Sequence, residues 1–130
     1  MDVFEIKARY GLRLPSAHVR CLLDATDLIH QACDFLCLTS EHDLLDFGKV
    51  NTRLHEPGRW NAWPPYLVAF ASNGCGDSFA YDTRSDPPTI VYIDPLETPE
   101  ESLSSPDPLT YKTFEEWHAS RLELHAELNP

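Results

Sequence analysis

The sequence predicts an α+β domain with a central antiparallel sheet of about four to six strands, covered on one face by N-terminal and C-terminal helices. Three short apolar runs, residues 67–72, 78–82 and 89–94, are rich in Val, Ile, Phe and Tyr, which favour half-buried strands. Turn residues separate the runs, at Asn73–Asp77 and at Pro87–Pro88. Together these observations predict an antiparallel meander of three strands.

Length and composition predict one domain, residues 1–130. A chain of this size buries roughly two thirds of its unfolded surface, so it needs no disulfide or metal to fold. Hydrophobic residues make up 42% of the chain, which is enough for a core. The chain has no apolar run of about 18 residues and does not start like a secretion signal, so a cytoplasmic protein is expected.

Helical patterns precede the meander. Residues 4–12 predict a short helix that stops near Gly11. A second helix should begin at Pro15 or Ser16 and pack on the sheet. Its apolar face is expected to carry Val19, Leu22, Leu23 and Thr26, with Cys21 beside that face as a small apolar filler.

Between the second helix and the meander, the pattern predicts a strand followed by polar chain. Residues 32–39 are apolar and alternate loosely, which indicates a strand. Ser40 is expected to cap a short helical turn that ends at Gly48. Residues 48–62 are polar and predict a loop that leads to Trp63, which we expect to be structural.

The chain after the meander should form a loop and then a closing helix. Residues 95–108 are acidic and rich in Pro and Ser, which predicts an exposed loop. The closing helix should begin at Thr113, which with Glu116 forms a capping box. Phe114 and Trp117 are expected to point toward the sheet.

The cysteines show no ligand or disulfide pattern. The chain has four of them and no Cys-x-x-Cys pair. Cys33, Cys37 and His42 lie close in sequence, but their spacing fits no common zinc motif. We therefore expect four unpaired thiols, in keeping with a reducing compartment, and no bound metal.

No catalytic motif is present. Gly74-x-Gly76 follows a strand but leads into another strand, so it does not predict a phosphate-binding loop. Asp77 and Asp82 could in principle form an acid–base pair, but Asp77 is expected to accept backbone N–H groups of its own turn. An enzyme is therefore not expected, and neither is a cofactor.

The charge of the chain favours a basic protein partner. The net charge is −11, from 10 basic and 21 acidic residues, and residues 82–108 hold seven acids against Arg84 alone. Such a surface repels phosphate backbones, so nucleic acid and anionic membrane are not expected as partners. The alternative is that the acidic residues only increase solubility. The candidate partner-binding residues are Asp82, Asp86, Asp94, Glu97, Glu100 and Glu101, with Trp60 as an apolar anchor.

Several segments resemble the SUKH superfamily (Smi/Knr-type proteins). They include Pro64–Tyr66 before the first predicted strand, the turn Asn73–Asp77 after it, and Tyr81–Asp82 in the second strand. Gly11–Pro15 resembles the family's entry into its first helix, and Thr113–Trp117 resembles its closing helix. The resemblance extends from about residue 5 to about residue 124, with the Gly-Asp turn as its most specific part.

The resemblance implies a protein-binding domain. Many bacterial proteins of this kind look like immunity proteins encoded beside polymorphic toxins, often nucleases. By that analogy, acidic side chains of this chain would imitate phosphates and occupy the basic cleft of a toxin. The alternative is a regulatory interaction module without a toxin partner, as in fungal members. The sequence indicates neither the identity of the partner nor the oligomeric state.

Overall fold

A computed structural model describes all 130 residues and shows an α+β fold around one five-stranded sheet. The strands follow one another in sequence order, and every neighbouring pair is antiparallel. The strands are β1 (Asp34–Phe35), β2 (Leu67–Ser72), β3 (Ser78–Asp82), β4 (Thr89–Ile93) and β5 (Thr110–Tyr111).

Six helices surround the sheet, and none is long and apolar enough to cross a membrane. They are α1 (Val3–Tyr10), α2 (Ser16–Leu23), α3 (Ile29–Ala32), α4 (Phe47–Leu54), α5 (Pro99–Leu103) and α6 (Phe114–Leu128), with a 3₁₀ turn at Asp43–Leu45. The predicted helix before Gly11 is confirmed as α1, and Gly11 ends it with a φ of 65°.

The predicted meander is confirmed as β2, β3 and β4. In β3 and β4, Ser78 lies opposite Ile93 and Asp82 lies opposite Thr89, so the two strands pair along their whole length. Gly76 adopts a φ of 84° in the turn between β2 and β3, a conformation that glycine reaches without steric cost. Local alternation of apolar runs and turn residues was therefore sufficient to place these strands.

One face of the sheet is closed by α2 and α6, which confirms the predicted layer of helices. Trp117 of α6 packs edge-on against Phe70, with ring centroids 4.7 Å apart. His18 of α2 stacks on Phe114 at 4.7 Å, and both side chains are buried. Aromatic rings bury large apolar areas, so this aromatic face supplies much of the hydrophobic stabilisation of the domain.

The predicted apolar stripe of α2 was wrong in part, because Val19 and Leu22 pack against the core but Leu23 and Thr26 are exposed. His18 and Cys21 point into the core, whereas Leu23 is 79% exposed. A histidine fits there because its ring packs like an aromatic side chain and its Nδ1 lies 2.7 Å from the Tyr81 hydroxyl. Apolar spacing alone could not identify a polar residue type as the centre of the buried face.

The region before the meander also differs from the prediction. Of residues 32–39, only Asp34 and Phe35 pair in the sheet, opposite Ser72 and Ala71. Residues 48–62 are not all loop, because they contain most of α4. The prediction that a helical turn ends at Gly48 was wrong, since Gly48 lies inside α4. The Asp46 carboxylate caps α4 by accepting the Lys49 backbone N–H at 3.0 Å, a local signal that the polar composition obscured.

The other face of the sheet is covered as well. All five residues of β3 are buried, so both faces of this strand are covered. The backbone N–H of Trp63 donates to the Leu54 carbonyl at 2.8 Å, which ties the chain before β2 to the end of α4. Residues 95–108 are not only a loop, because they contain α5, which Thr98 and Glu101 begin with a capping box.

The closing helix begins where the sequence predicts. The Thr113 side chain accepts the Glu116 backbone N–H at 3.1 Å, but the Glu116 carboxylate accepts from Lys112 and not from Thr113. Phe114 and Trp117 are buried as predicted.

Candidate functional site

The turn between β2 and β3 is built around the buried carboxylate of Asp77. Asp77 accepts the Asn73 backbone N–H at 2.9 Å, the Asn73 side-chain amide at 3.0 Å and the Ser72 hydroxyl at 3.2 Å. These bonds confirm the structural interpretation of Asp77. Asp82 lies at the opposite end of β3, so the two carboxylates do not form an acid–base pair.

A groove runs beside this turn, between α4 and the sheet. It consists of two adjoining clefts of about 260 Å³ and about 160 Å³ that share Leu54, Arg59, Gly76 and Ser78. We call it the turn groove. Its charged lining is mixed, with Arg53 and Arg59 as the basic residues and Asp34, Asp77, Asp94 and Glu97 as the acidic ones.

Sequence analysis did not select Arg53 or Arg59 as site residues. The polar run 48–62 predicted a loop, so nothing indicated that Arg53 lies on a helix facing the Gly74–Gly76 turn. The guanidinium of Arg59 donates to the Arg53 carbonyl at 2.9 Å, which holds the chain after α4 against that helix. Recognition of Asp46 as a helix cap is the signal that could have found them.

The predicted acidic surface is divided between the two ends of the sheet. Asp82 and Asp86 lie at the end where β3 passes to β4, whereas Asp94, Glu97 and α5 follow the opposite end of β4. Five residues of an antiparallel strand separate these ends by about 14 Å. That distance exceeds the Debye length of about 8 Å at physiological salt, so the two groups act separately on a charged partner.

Asp82 is not an exposed acid. Its residue is 8% exposed, and its carboxylate accepts from the Arg84 side chain, with Arg84 Nη2 at 2.7 Å from Asp82 Oδ2. Burial alone would raise the pKa of Asp82, but the Arg84 hydrogen bonds outweigh it and lower that pKa. Arg84 also lies over the Tyr66 ring at 4.0 Å, so its guanidinium covers the Asp82 carboxylate, while the Arg84 side chain itself stays 55% exposed.

The acids beyond β4 lie on the surface near the turn groove. Glu100 and Glu101 are exposed on α5, and Glu97 is half-buried at the groove. Asp94 is half-buried and accepts the Leu96 backbone N–H at 2.8 Å, which closes the turn after β4. Hydrogen bonds from Thr98 lower the pKa of Glu101, so it is ionised at neutral pH.

Trp60 is 70% exposed, as a candidate anchor should be. Its chain neighbours Arg59 and Asn61 line the smaller cleft together with Asp94 and Glu97. Trp60 therefore lies at the same end of the sheet as the second acidic group. We call this set the turn-end surface: Trp60, Asp94, Glu97, Glu100 and Glu101. Asp86 is exposed but belongs to the other end.

The thiols of Cys33 and Cys37 do not converge with His42. Cys33 Sγ lies 3.7 Å from the Ile29 carbonyl oxygen, and Cys37 Sγ lies 3.8 Å from that of Phe35. Both thiols therefore act as weak hydrogen-bond donors to their local backbone. All four cysteines of the chain carry free thiols.

The profile of the SMI1 / KNR4 family (SUKH-1) matches residues 2–120 of the 130-residue chain. No curated protein sequence and no solved structure matches the chain. The matched range includes the whole sheet, the turn groove and the first turns of α6. The resemblance seen in the sequence is thus confirmed, and this chain belongs to the SMI1 / KNR4 family (SUKH-1).

Proposed function

We propose that this protein is a non-catalytic immunity protein that binds and neutralises a cognate bacterial toxin, of which nucleases are the favoured class. Domains of this family are protein-interaction modules, so a protein partner is expected in general. The observation that carries the finer proposal is the turn-end surface, where four carboxylates and an exposed indole lie at the same end of the sheet. We place the protein in the cytoplasm, where free thiols such as these persist.

The turn-end surface suits a basic cleft that normally holds phosphate groups. Three carboxylates lie close together in sequence at the start of α5, those of Glu97, Glu100 and Glu101. Residues 94–101 include no basic residue. Complementary charge increases the association rate, while an aromatic anchor at the centre of an interface slows dissociation. Trp60 supplies such an anchor next to the acids.

The polar groups of the turn groove favour binding over catalysis. The Asp77 carboxylate is occupied by three hydrogen-bond donors of its own turn, and Arg59 is bonded to the Arg53 backbone. A general base must be able to reach the substrate proton, and a buried carboxylate that accepts three hydrogen bonds from Ser72 and Asn73 is poorly suited to that role.

A second function is supported by the mixed charge of the turn groove. A regulatory interaction module without a toxin partner would bind a polar segment of another protein there. Arg53 and Arg59 line the groove together with Asp34 and Asp77, and a basic nuclease cleft has no need of such mixed charges. A partner whose binding depends on the two arginines, and not on the acids, would favour this alternative.

The experiment begins with affinity capture of the partner from the source organism and continues with its binding kinetics. The double variant Glu97→Lys/Glu100→Lys should lower the association rate by about tenfold or more, and added salt should reduce the difference from the wild type. The matched control Asp86→Lys/Glu123→Lys makes the same charge change away from the turn-end surface and should lower the rate less than about threefold. Equal rates for both variants would contradict the proposal.

A further inference from the structure

Cys21, Asp27 and His118 converge at the junction of α2, the segment before α3, and α6. The Cys21 Sγ lies 3.5 Å from the Asp27 Oδ2, and the His118 Nε2 lies 2.9 Å from the Asp27 Oδ1. One possible ligand atom from each side chain lies within 4.8 Å of the other two. A thiol, a carboxylate and an imidazole are thus gathered from three separate segments of the chain.

The fold holds each of these three groups in place. Cys21 is buried in the last turn of α2. The Asp27 carboxylate is oriented by the Ile29 backbone N–H, which it accepts at 2.9 Å. The His118 ring packs against Phe114, with centroids 5.7 Å apart. Donor groups that are positioned before binding lose little conformational freedom when they take up an ion.

One of their separations already fits a tetrahedral metal centre, and the other two are within reach of one. With Zn–S of about 2.3 Å and Zn–O and Zn–N of about 2.0–2.2 Å, tetrahedral angles place neighbouring donor atoms about 3.3–3.6 Å apart. The 3.5 Å between Cys21 Sγ and Asp27 Oδ2 already matches this distance. The 2.9 Å hydrogen bond of His118 Nε2 ends on the other carboxylate oxygen, Asp27 Oδ1. An ion held by a single Asp27 oxygen therefore requires the carboxylate or the His118 ring to turn, and both side chains are partly exposed.

The three side chains open onto one cleft of about 550 Å³. Asp27 and His118 each keep 22% of their side-chain surface exposed, while Cys21 is buried beneath them. Asp24 and Glu115 line the same cleft, and Arg20 is its one basic residue other than histidine. An ion therefore has a path from solvent, a surrounding potential that favours a cation, and an open side that faces the cleft.

The Cys21 thiol is not suited to act as a nucleophile. Burial, together with the adjacent Asp27 carboxylate, raises the pKa of Cys21 to about 12. The thiol is therefore protonated at neutral pH and donates its proton to Asp27. A metal ion binds the thiolate, so it takes the place of that proton and releases it to solvent.

We propose that Cys21, Asp27 and His118 bind one divalent transition-metal ion of the zinc class. Thiolate, carboxylate and imidazole are all zinc ligands, and three protein ligands leave a fourth position for water or a further ligand from the cleft. The ion ties α2 to α6. This site departs from the expectation that no cysteine binds metal, because sequence spacing could not show that His118 meets Cys21.

The test uses tag-free protein stripped with EDTA and titrated with Zn²⁺ by calorimetry, with Co²⁺ as a parallel spectroscopic probe. We expect one ion per chain, a thiolate-to-cobalt absorption band, and a rise in Tm of at least about 3 °C at saturating Zn²⁺. Cys21→Ser and His118→Gln should each weaken Zn²⁺ binding by at least about tenfold, and Cys21→Ser should abolish the cobalt band.

Matched controls separate this site from adventitious binding. Cys33→Ser and His42→Gln remove the same chemical groups elsewhere and should leave stoichiometry and affinity unchanged. Circular dichroism of each stripped variant shows whether it is folded, and partly exposed His118 provides a second ligand variant if Cys21→Ser unfolds. The proposal is overturned by the absence of Zn²⁺ binding at about 0.1 mM, or by binding that survives both ligand variants.

Discussion

One face of the sheet and one of its edges are closed by different chemistry. On the aromatic face, Trp117, Phe70 and Phe114 fill the space with rings whose centroids lie 4.7–6.3 Å apart. On the α4 side, the Asn51 side chain forms hydrogen bonds with the backbone of β2. Its amide donates to the Ala69 carbonyl at 2.9 Å, and its Oδ1 accepts the Ala69 N–H at 2.8 Å.

The difference shows how this domain combines a stable core with an accessible groove. Apart from the His18–Tyr81 hydrogen bond, the buried rings stabilise the aromatic face by non-directional packing, so they can close it tightly. At Ala69, β2 has no strand partner on the α4 side, and unpaired backbone groups there would invite another chain. Asn51 satisfies them in place of a strand. The turn groove lies on this same polar side.

The largest effect is expected on the aromatic face. Trp117→Ala should lower the free energy of unfolding by about 4 kcal/mol, because it removes a fully buried indole and leaves a cavity. Trp60→Ala is the matched control, and its exposed side chain should change stability by less than about 0.5 kcal/mol. Urea unfolding of the three proteins measures both values. Similar losses for the two tryptophans would contradict the division into core and binding surface.

The stability of the α4 side should depend on the side-chain amide of Asn51. Asn51→Ala removes both partners of Ala69 and should lower the free energy of unfolding by about 3 kcal/mol, since two backbone groups lose their hydrogen bonds. The exposed neighbour Thr52 provides the control, because Thr52→Ala changes only the solvent side of the same helix. If the two variants unfold at the same urea concentration, water replaces the amide and β2 needs no such partner.

The sequence predicted the meander because its signals are local. Val, Ile and Phe runs alternate with Gly and Pro turns, and neither depends on distant contacts. The predicted meander also implied that the acidic residues lie at two different ends of the sheet. Once Ser78–Asp82 pairs with Thr89–Ile93, Asp82 and Asp94 must lie at opposite ends of the hairpin. Counting charges along the chain ignored that consequence.

Other features could not be predicted because distant residues decide them. Asn51 is buried only because its amide meets Ala69, and a polar residue inside a polar run gives no sign of this. His18 is central to the core because Phe114 and Tyr81 surround its ring. Hydrophobic spacing counts Asn and His as surface positions, so it missed α4 and the place of His18 at the centre of the buried face of α2.

The smallest expected effect is a loss of stability at acidic pH, and it arises from His18 on the aromatic face. Burial lowers the pKa of His18 from 6.5 to about 3, because a charged imidazolium among aromatic rings loses its hydration. The unfolded chain therefore binds a proton below pH 6.5 that the folded chain does not bind. Stability from this group is complete above pH 6.5 and falls as pH decreases toward 3. At pH 5 the loss should be about 2 kcal/mol.

The variant His18→Leu isolates this contribution, since leucine has a similar volume and cannot be protonated. It loses the bond to the Tyr81 hydroxyl, so it should be less stable than the wild type at pH 7. Carboxylates such as Asp82, whose pKa is lowered, also lose stability in acid, but they do so equally in both proteins. Urea unfolding from pH 7 to pH 5 should therefore bring the two stabilities closer by about 2 kcal/mol. Parallel curves over this range would mean that His18 takes up its proton inside the folded core, and the aromatic face would then be less closed than its packing indicates.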